Sequence, residues 1–219
     1  MKKTNPSFDG IAKQKTLLLG DVNSGKTRFT FNFLCYLLNK KLCDPPEISI
    51  LEFGPNRVQD RQRTIGGTLQ ECFHESNENI LSLGRLINAV HWVDKEINKF
   101  QPHTTQKILT PRHSARSTQD VLVACCSNFT ATQKQLLYFT HNPTKVLIIN
   151  DVGIYLHLGS LSLLKKALAL CKIALLNAYY GQSLLEDYGS YISRREKIML
   201  LLLSRYLDTY LCERFVSSI

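Results

Sequence analysis

Apolar and polar positions along this chain alternate between short apolar runs and longer segments of helical spacing, the pattern of strands feeding helices. The run Thr16-Leu17-Leu18-Leu19 lies in a strand predicted over about 15–20, and Phe29, Phe31, Phe33, Leu34, Leu37 and Leu38 behind it fit a helix buried over much of its surface. Ile48-Ser49-Ile50-Leu51-Glu52-Phe53 reads as a second strand, stopped by Gly54 and Pro55. Ile80 to Asn98 has apolar positions at mixed spacing and fits either a helix or a helix plus a strand. Lys107 to Arg112 reads as a short strand ending at Thr-Pro-Arg. Ser117-Thr118-Gln119-Asp120 opens a helix to about Thr140, with Asp120 standing where a capping box has Glu or Gln.

Farther on, Lys145 to Asp151 gives four apolar residues followed by Asn150 and Asp151, a buried strand delivering polar groups at its end. Gly159 to Leu170 reads as a helix and Lys172 to Asn177 as another buried strand. Ser193-Arg194-Arg195-Glu196 matches a full capping box opening a last helix to about Arg214. Its apolar positions cover more than one stripe, which requires deep burial or a second face against a partner. Residues 1–14 show no useful periodicity and read as a tail or an edge element. Strands and helices in this order predict an α/β, three-layer fold around a mostly parallel central sheet.

Composition narrows the class. At 219 residues, 44% hydrophobic and 21% charged, the chain is expected to form one globular domain with a full core, residues 99–119 being a basic lid or insertion. The longest apolar stretch, Ile198 to Leu203, is far short of the ~20 residues that span a bilayer, and no apolar signal region follows the first lysines. Seven cysteines without C-x-x-C spacing fit a reduced, cytoplasmic protein, and Cys125 and Cys126, as helix neighbours, point apart and suit packing. A net charge of +9 suits polyanionic partners: nucleotides, nucleic acid or acidic proteins. The absence of a zinc finger or an aromatic RNA-reading strand argues against sequence-specific nucleic-acid binding.

The candidate chemistry begins at Gly20-Asp21-Val22-Asn23-Ser24-Gly25-Lys26-Thr27, which fits G-x-x-x-x-G-K-[ST] between a strand and a helix. In that pattern loop N–H groups cradle phosphates, the lysine reaches the terminal phosphates and the hydroxyl meets Mg²⁺. The chain therefore resembles a P-loop NTPase. The likeness implies the three-layer P-loop NTPase fold, with Gly20 to Thr27 and Arg28 around the nucleotide, Lys26 on the β/γ-phosphates, and ATP or GTP with Mg²⁺ as ligands. Val146 to Asp151 is similar to a Walker B strand, which implies Asp151, with Asn150 as runner-up, beside Thr27 in the Mg²⁺ shell. The S-G-K-T ending also resembles nickel-insertion GTPases, whose metal-binding cysteine and histidine motifs are not found here. Septum-positioning ATPases carry a second lysine where this chain has Asp21.

Other residues join this constellation by position. Glu52, near a strand's carboxyl end, is a candidate for holding Mg²⁺ or orienting a water, against the plainer reading of a solvated carboxylate. Arg57, Arg61 and Arg63 with Thr64, Gly66, Gly67 and Thr68 suit either a phosphate-sensing loop or a plain surface loop. Arg112 and Arg116 lie in a segment with no acidic residue between Lys99 and Gln119, where an arginine can stabilise a transferring phosphoryl group or recognise an anion. His103 and His113 read as loop residues. Asn177 falls where P-loop GTPases carry the asparagine of N-K-x-D, but Ala178, Tyr179 and Tyr180 follow it. The guanine-reading aspartate is missing, so ATP is expected over GTP, with Asn177, Tyr179 or Tyr180 near the base.

The expected function is a nucleoside-triphosphate-binding switch with weak or partner-stimulated hydrolysis that acts on another protein. Two alternatives share the loop: a small-molecule kinase using Arg112 and Arg116 at its acceptor site, and a non-enzymatic nucleotide-dependent scaffold.

Overall fold

The computed structural model describes residues 6–60, 63–76, 81–100, 107–184 and 186–212. Along the chain these form α1 (Phe8–Ile11), β1 (Lys15–Gly20), α2 (Lys26–Asn39), β2 (Ile48–Glu52), β3 (Val58–Asp60), β4 (Arg63–Ile65), α3 (Leu69–Glu75), α4 (Leu81–Asn88), β5 (His91–Trp92) and α5 (Val93–Phe100). There follow α6 (Pro111–Ser114), α7 (Thr118–His141), β6 (Val146–Asn150), α8 (Val152–Leu156), α9 (Leu161–Ala169), β7 (Ile173–Tyr179), α10 (Ile192–Leu203) and β8 (Asp208–Cys212). Six strands form one sheet in the order β5-β2-β6-β7-β1-β8, every neighbouring pair parallel, while β3 and β4 make a separate antiparallel hairpin.

The side-chain period of two explains the layers. Leu17, Leu19, Leu51, Leu147, Ile149, Ala174 and Leu176 pack on one face against α5 and α7 to α10. Their neighbours Leu18, Ile50, Val146, Ile148, Ile173 and Leu175 pack on the other face against α1 to α4. Both faces of a parallel sheet must be covered, so its strands are apolar at consecutive positions rather than alternate ones. The architecture is a three-layer α/β fold with a parallel central sheet.

Three segments depart from expectation, and one left open is resolved. Residues 107–110 form no strand: the side-chain amide of Asn128 accepts from the N–H of Leu109 at 2.8 Å and donates to its carbonyl at 3.0 Å, doing what a neighbouring strand would do. Pro111, pre-set for a first helical position, then starts α6. The stretch read as either a helix or a helix plus a strand forms helix, strand and helix over residues 81–100, with the Trp92 indole donating to the carbonyl of Ile87 at 3.0 Å. The segment after Val58 is a hairpin rather than an open loop.

The last helix ends at Leu203 rather than near Arg214. Residues 208–212 instead pair as a parallel strand with β1, Thr16 to Gly20 facing Asp208 to Cys212. The fully buried β1 cannot be left as an open edge, and Thr209 and Tyr210 are good strand formers. The capping box proposed for that helix is also absent: its N-cap is Tyr191, in the left-handed region at φ 61°, and the N–H of Ser193 donates to Asp187.

Leu37, fully buried on α2, tests the packing of that helix on the sheet. Leu37→Ala is expected to cost about 2–5 kcal/mol in urea unfolding, whereas Leu42→Ala, at a side chain 43% exposed, changes stability by less than about 0.5 kcal/mol.

Candidate functional site

Because all six strands are parallel, the loops after β1, β2, β6 and β7 gather at one edge of the sheet, where α/β folds bind ligands. A cavity of about 300 Å³ opens there, lined by Asn23 to Arg28, Arg57, Gly66, Gly67, Arg112, Asp151 and Tyr179 among others. The β1–α2 loop forms its floor. Gly25 is the N-cap of α2 at φ 84°, a backbone that glycine adopts without steric cost. Gly20 has no room for a side chain, since a Cβ there would lie 2.7 Å from Ser24 Oγ and 2.8 Å from the carbonyl of Cys212.

Two features of this loop suit an anion. The backbone N–H groups of Asn23, Gly25, Lys26 and Thr27 meet no protein acceptor among the described residues, at the positive end of the 14-residue α2. The Lys26 ammonium folds back onto its own loop, donating to the carbonyls of Gly20 at 2.9 Å and Asp21 at 2.7 Å and to Ser24 Oγ at 3.1 Å. Burial lowers its pKa below the ordinary lysine value, against the opposing pull of Asp151. Asp21 itself turns away from the cavity. Its carboxylate accepts from the N–H of Val22 at 2.7 Å and of Gln182 at 3.2 Å, tying this loop to the one after β7.

Asn150 and Asp151 separate cleanly in role. Asn150, fully buried at the end of β6, donates to Glu52 Oε1 at 2.6 Å and to the carbonyl of Gly67 at 3.0 Å. Asp151 stands one residue on, in the left-handed region at φ 56°, where it caps α8 and lines the cavity. Its N–H donates to Asn177 Oδ1 at 3.0 Å, and its Oδ1 is buried without a hydrogen-bond partner. Burial, and then the nearby Glu196, push its pKa up to about 7 against Lys26 and Arg112. An orphaned carboxylate oxygen in the cavity that Thr27 and Lys26 also line suits a divalent cation. Among the described residues, no three histidine, cysteine or acidic side chains converge as an all-protein metal cage.

Glu52 and Asn177 do not take their expected places. Glu52 accepts from the N–H of Gly54 at 3.0 Å and of Leu69 at 2.8 Å as well as from Asn150, and it borders a different cavity from Lys26 and Asp151. Burial drives its pKa up to about 8 although all three donors oppose the rise. Asn177 lies inside β7, not at its end; it lines the cavity, while its amide nitrogen donates to Thr30 Oγ1 at 2.9 Å and Asn150 Oδ1 at 2.8 Å.

The arginines at the cavity are paired. Arg28 donates to Glu75 at 2.6 Å, and Arg57 forms an ion pair with the same carboxylate, so both lean on α3. The sensing loop is likewise engaged: Thr68 caps α3 by accepting from the N–H of Glu71, and the N–H of Gly67 donates to Pro55. Thr64 has no described side chain, and Arg61 and His103 lie outside the described residues.

Arg112 does reach the cavity, but from helix α6, and its guanidinium donates to Glu196 Oε2 at 2.8 Å and lies 5.0 Å from the Tyr179 ring centroid. Glu196 was read in the sequence as a helix cap and is in fact the hub of this side of the site. Burial would raise its pKa, yet Arg112 overrides that and holds it below the usual carboxylate range, with His157 at 3.5 Å. One signal was available: Glu196 shares a helical stripe with Ile192, Leu200 and Leu203, a carboxylate on an otherwise apolar buried face.

Two outcomes test this description. A raised pKa means that the native state holds its proton more tightly than the unfolded chain, so the contribution of Glu52 is full below about pH 4.5 and is lost as pH rises to about 8. In thermal and urea melts, Glu52→Gln is therefore expected to gain stability relative to wild type across that window, by up to about 1.4 kcal/mol per pH unit. A Cβ on Gly153 would lie 2.1 Å from Glu196 Oε1. Gly153→Ala should accordingly displace Glu196 and cost about 1–3 kcal/mol in the same melts.

No protein-family model matches this chain, and no curated protein matches it.

Proposed function

We propose that this protein binds a nucleoside triphosphate, ATP in preference to GTP, with Mg²⁺, and hydrolyses it weakly unless a partner protein acts, as a P-loop NTPase of the switch kind. The observation that carries the reading is the meeting, in one cavity, of four unpaired loop N–H groups, the Lys26 ammonium and the orphaned oxygen of Asp151. Phosphate oxygens would replace the carbonyls of Gly20 and Asp21 as acceptors for Lys26, and the N–H groups of Asn23 to Thr27 would bind further oxygens. The Thr27 hydroxyl and Asp151 would hold Mg²⁺, which when bound screens the charge of the triphosphate. Tyr179 and Leu184, on the cavity wall, offer apolar surface to a base, and the aspartate that would select guanine is missing after Asn177.

Weak basal turnover is supported by what the cavity wall holds. Among the described residues Asp151 is the one acidic side chain lining it, and Arg112, a cation at the cavity able to stabilise charge on a transferring phosphoryl group, is neutralised by Glu196. A partner that draws Glu196 away would release that arginine.

Lys26→Ala is expected to weaken ATP and GTP binding by about tenfold to a hundredfold in calorimetric titrations with Mg²⁺, the range for losing one charge-assisted hydrogen bond of about 1.5–3 kcal/mol. The variant should keep the wild-type circular dichroism spectrum. Titrations indistinguishable from wild type would end the assignment. Asp151→Asn should leave metal-free nucleotide binding in place and abolish the gain in affinity that Mg²⁺ brings.

A further inference from the structure

The outward face of α10 is made of apolar and basic residues only. Ile198, Leu201 and Leu202 are 46%, 40% and 37% exposed at spacings of three and four, and Tyr206, just past the helix, is 60% exposed. Arg194, Lys197 and Arg205 are the other exposed side chains between 194 and 206, and none of the three forms an ion pair with a described residue. Lys165 of α9 adds to the rim, its ammonium 3.4 Å from the Tyr206 ring centroid. Isolated exposed side chains of this kind are ordinary, whereas three on one helical seam, with Arg194 and Arg205 at its two ends and Lys197, which lies 5.4 Å from the Tyr180 ring centroid, on one flank, form a surface with a defined complement.

We infer that this face of α10 is the docking site for an acidic amphipathic helix of a partner protein. The spacing of Ile198, Leu201 and Leu202 presents a seam one helix wide, which apolar residues at i, i+3 and i+4 of a facing helix fill. Carboxylates flanking that partner's seam would meet Arg194, Lys197 and Arg205, giving orientation and fast association. A second copy of this chain fits less well, since a two-fold contact would bring the same arginines together on a chain of net charge +9. The opposite side of this helix carries Glu196 to Arg112, so an occupant of the outer face acts on the element that holds the site's arginine. The inference supplies the partner of the proposed switch, but docking needs no nucleotide and is measured without it.

The test uses the full chain and two synthetic helical peptides with the same leucine seam, one flanked by glutamates and one by lysines, followed by fluorescence anisotropy. The acidic peptide is expected to bind and the basic one not. Leu201→Asp and Arg194→Glu should each weaken acidic-peptide binding by about tenfold or more, as loss of an interface anchor does, while Lys26→Ala leaves it unchanged. Equal binding of the two peptides, no binding of either, or acidic-peptide affinity indifferent to both surface variants would overturn the inference. So would tighter binding to anionic phospholipid vesicles, or self-association of the chain that Leu201→Asp abolishes.

Discussion

The candidate site depends on a chain of buried side-chain hydrogen bonds running across the carboxyl ends of three strands. Thr30, Asn177, Asn150 and Glu52 link in sequence, joining α2, β7, β6 and β2 and ending on the N–H groups of Gly54 and Leu69. Each bond contributes only about 0.5–1.5 kcal/mol, but a buried group left without its partner costs about 1–3 kcal/mol, so the chain is satisfied throughout or not viable. It fixes how the loops leave the sheet. Asp151 is held in its left-handed backbone by Asn177, and the Gly66-Gly67 turn is held by Asn150. Glu52, a sequence candidate for holding Mg²⁺ or a water, and Asn177, a candidate for the base, are residues that position the others.

A second constraint comes from the far side of the cavity. Helix α10 places Glu196 among Arg112, His157 and Asp151, a cluster with more buried polar atoms than bonds to satisfy them: Asp151 Oδ1, His157 Nε2 and Glu196 Oε1 all lack hydrogen-bond partners. Buried polar groups without a partner are expensive. The Arg112–Glu196 pair is a joint between the cavity and the helix that faces solvent. The fold positions an arginine at the cavity while cancelling its charge.

Much of the scaffold was legible because two rules act locally. Strands buried on both faces write continuous apolar runs, and those before the β1–α2 loop, at Ile48 and at Val146 lie close to where the pattern places them. The loop itself was legible because its glycines answer backbone geometry and close approach. The C-terminal strand was not, since Ile198 to Leu211 is apolar enough to continue a helix, and only the open edge of β1 makes Asp208 to Cys212 pair instead. The same holds for residues 107–110, whose would-be strand partner is a side chain from α7.

The sequence by itself determined the α/β class, the mostly parallel sheet and the glycine-bounded turn between β1 and α2, because hydrophobic period and glycine geometry are short-range properties. Only the tertiary structure decided what the polar residues do: that Glu52 and Asn177 are spent on each other's neighbours, that Arg28 and Arg57 lean on Glu75, and that Arg112 meets Glu196. A carboxylate or an amide in the chain is a set of donors and acceptors without an address. Its partners, here 84 residues away for Arg112 and 98 for Asn150, are chosen when the layers close and every buried polar group must find one.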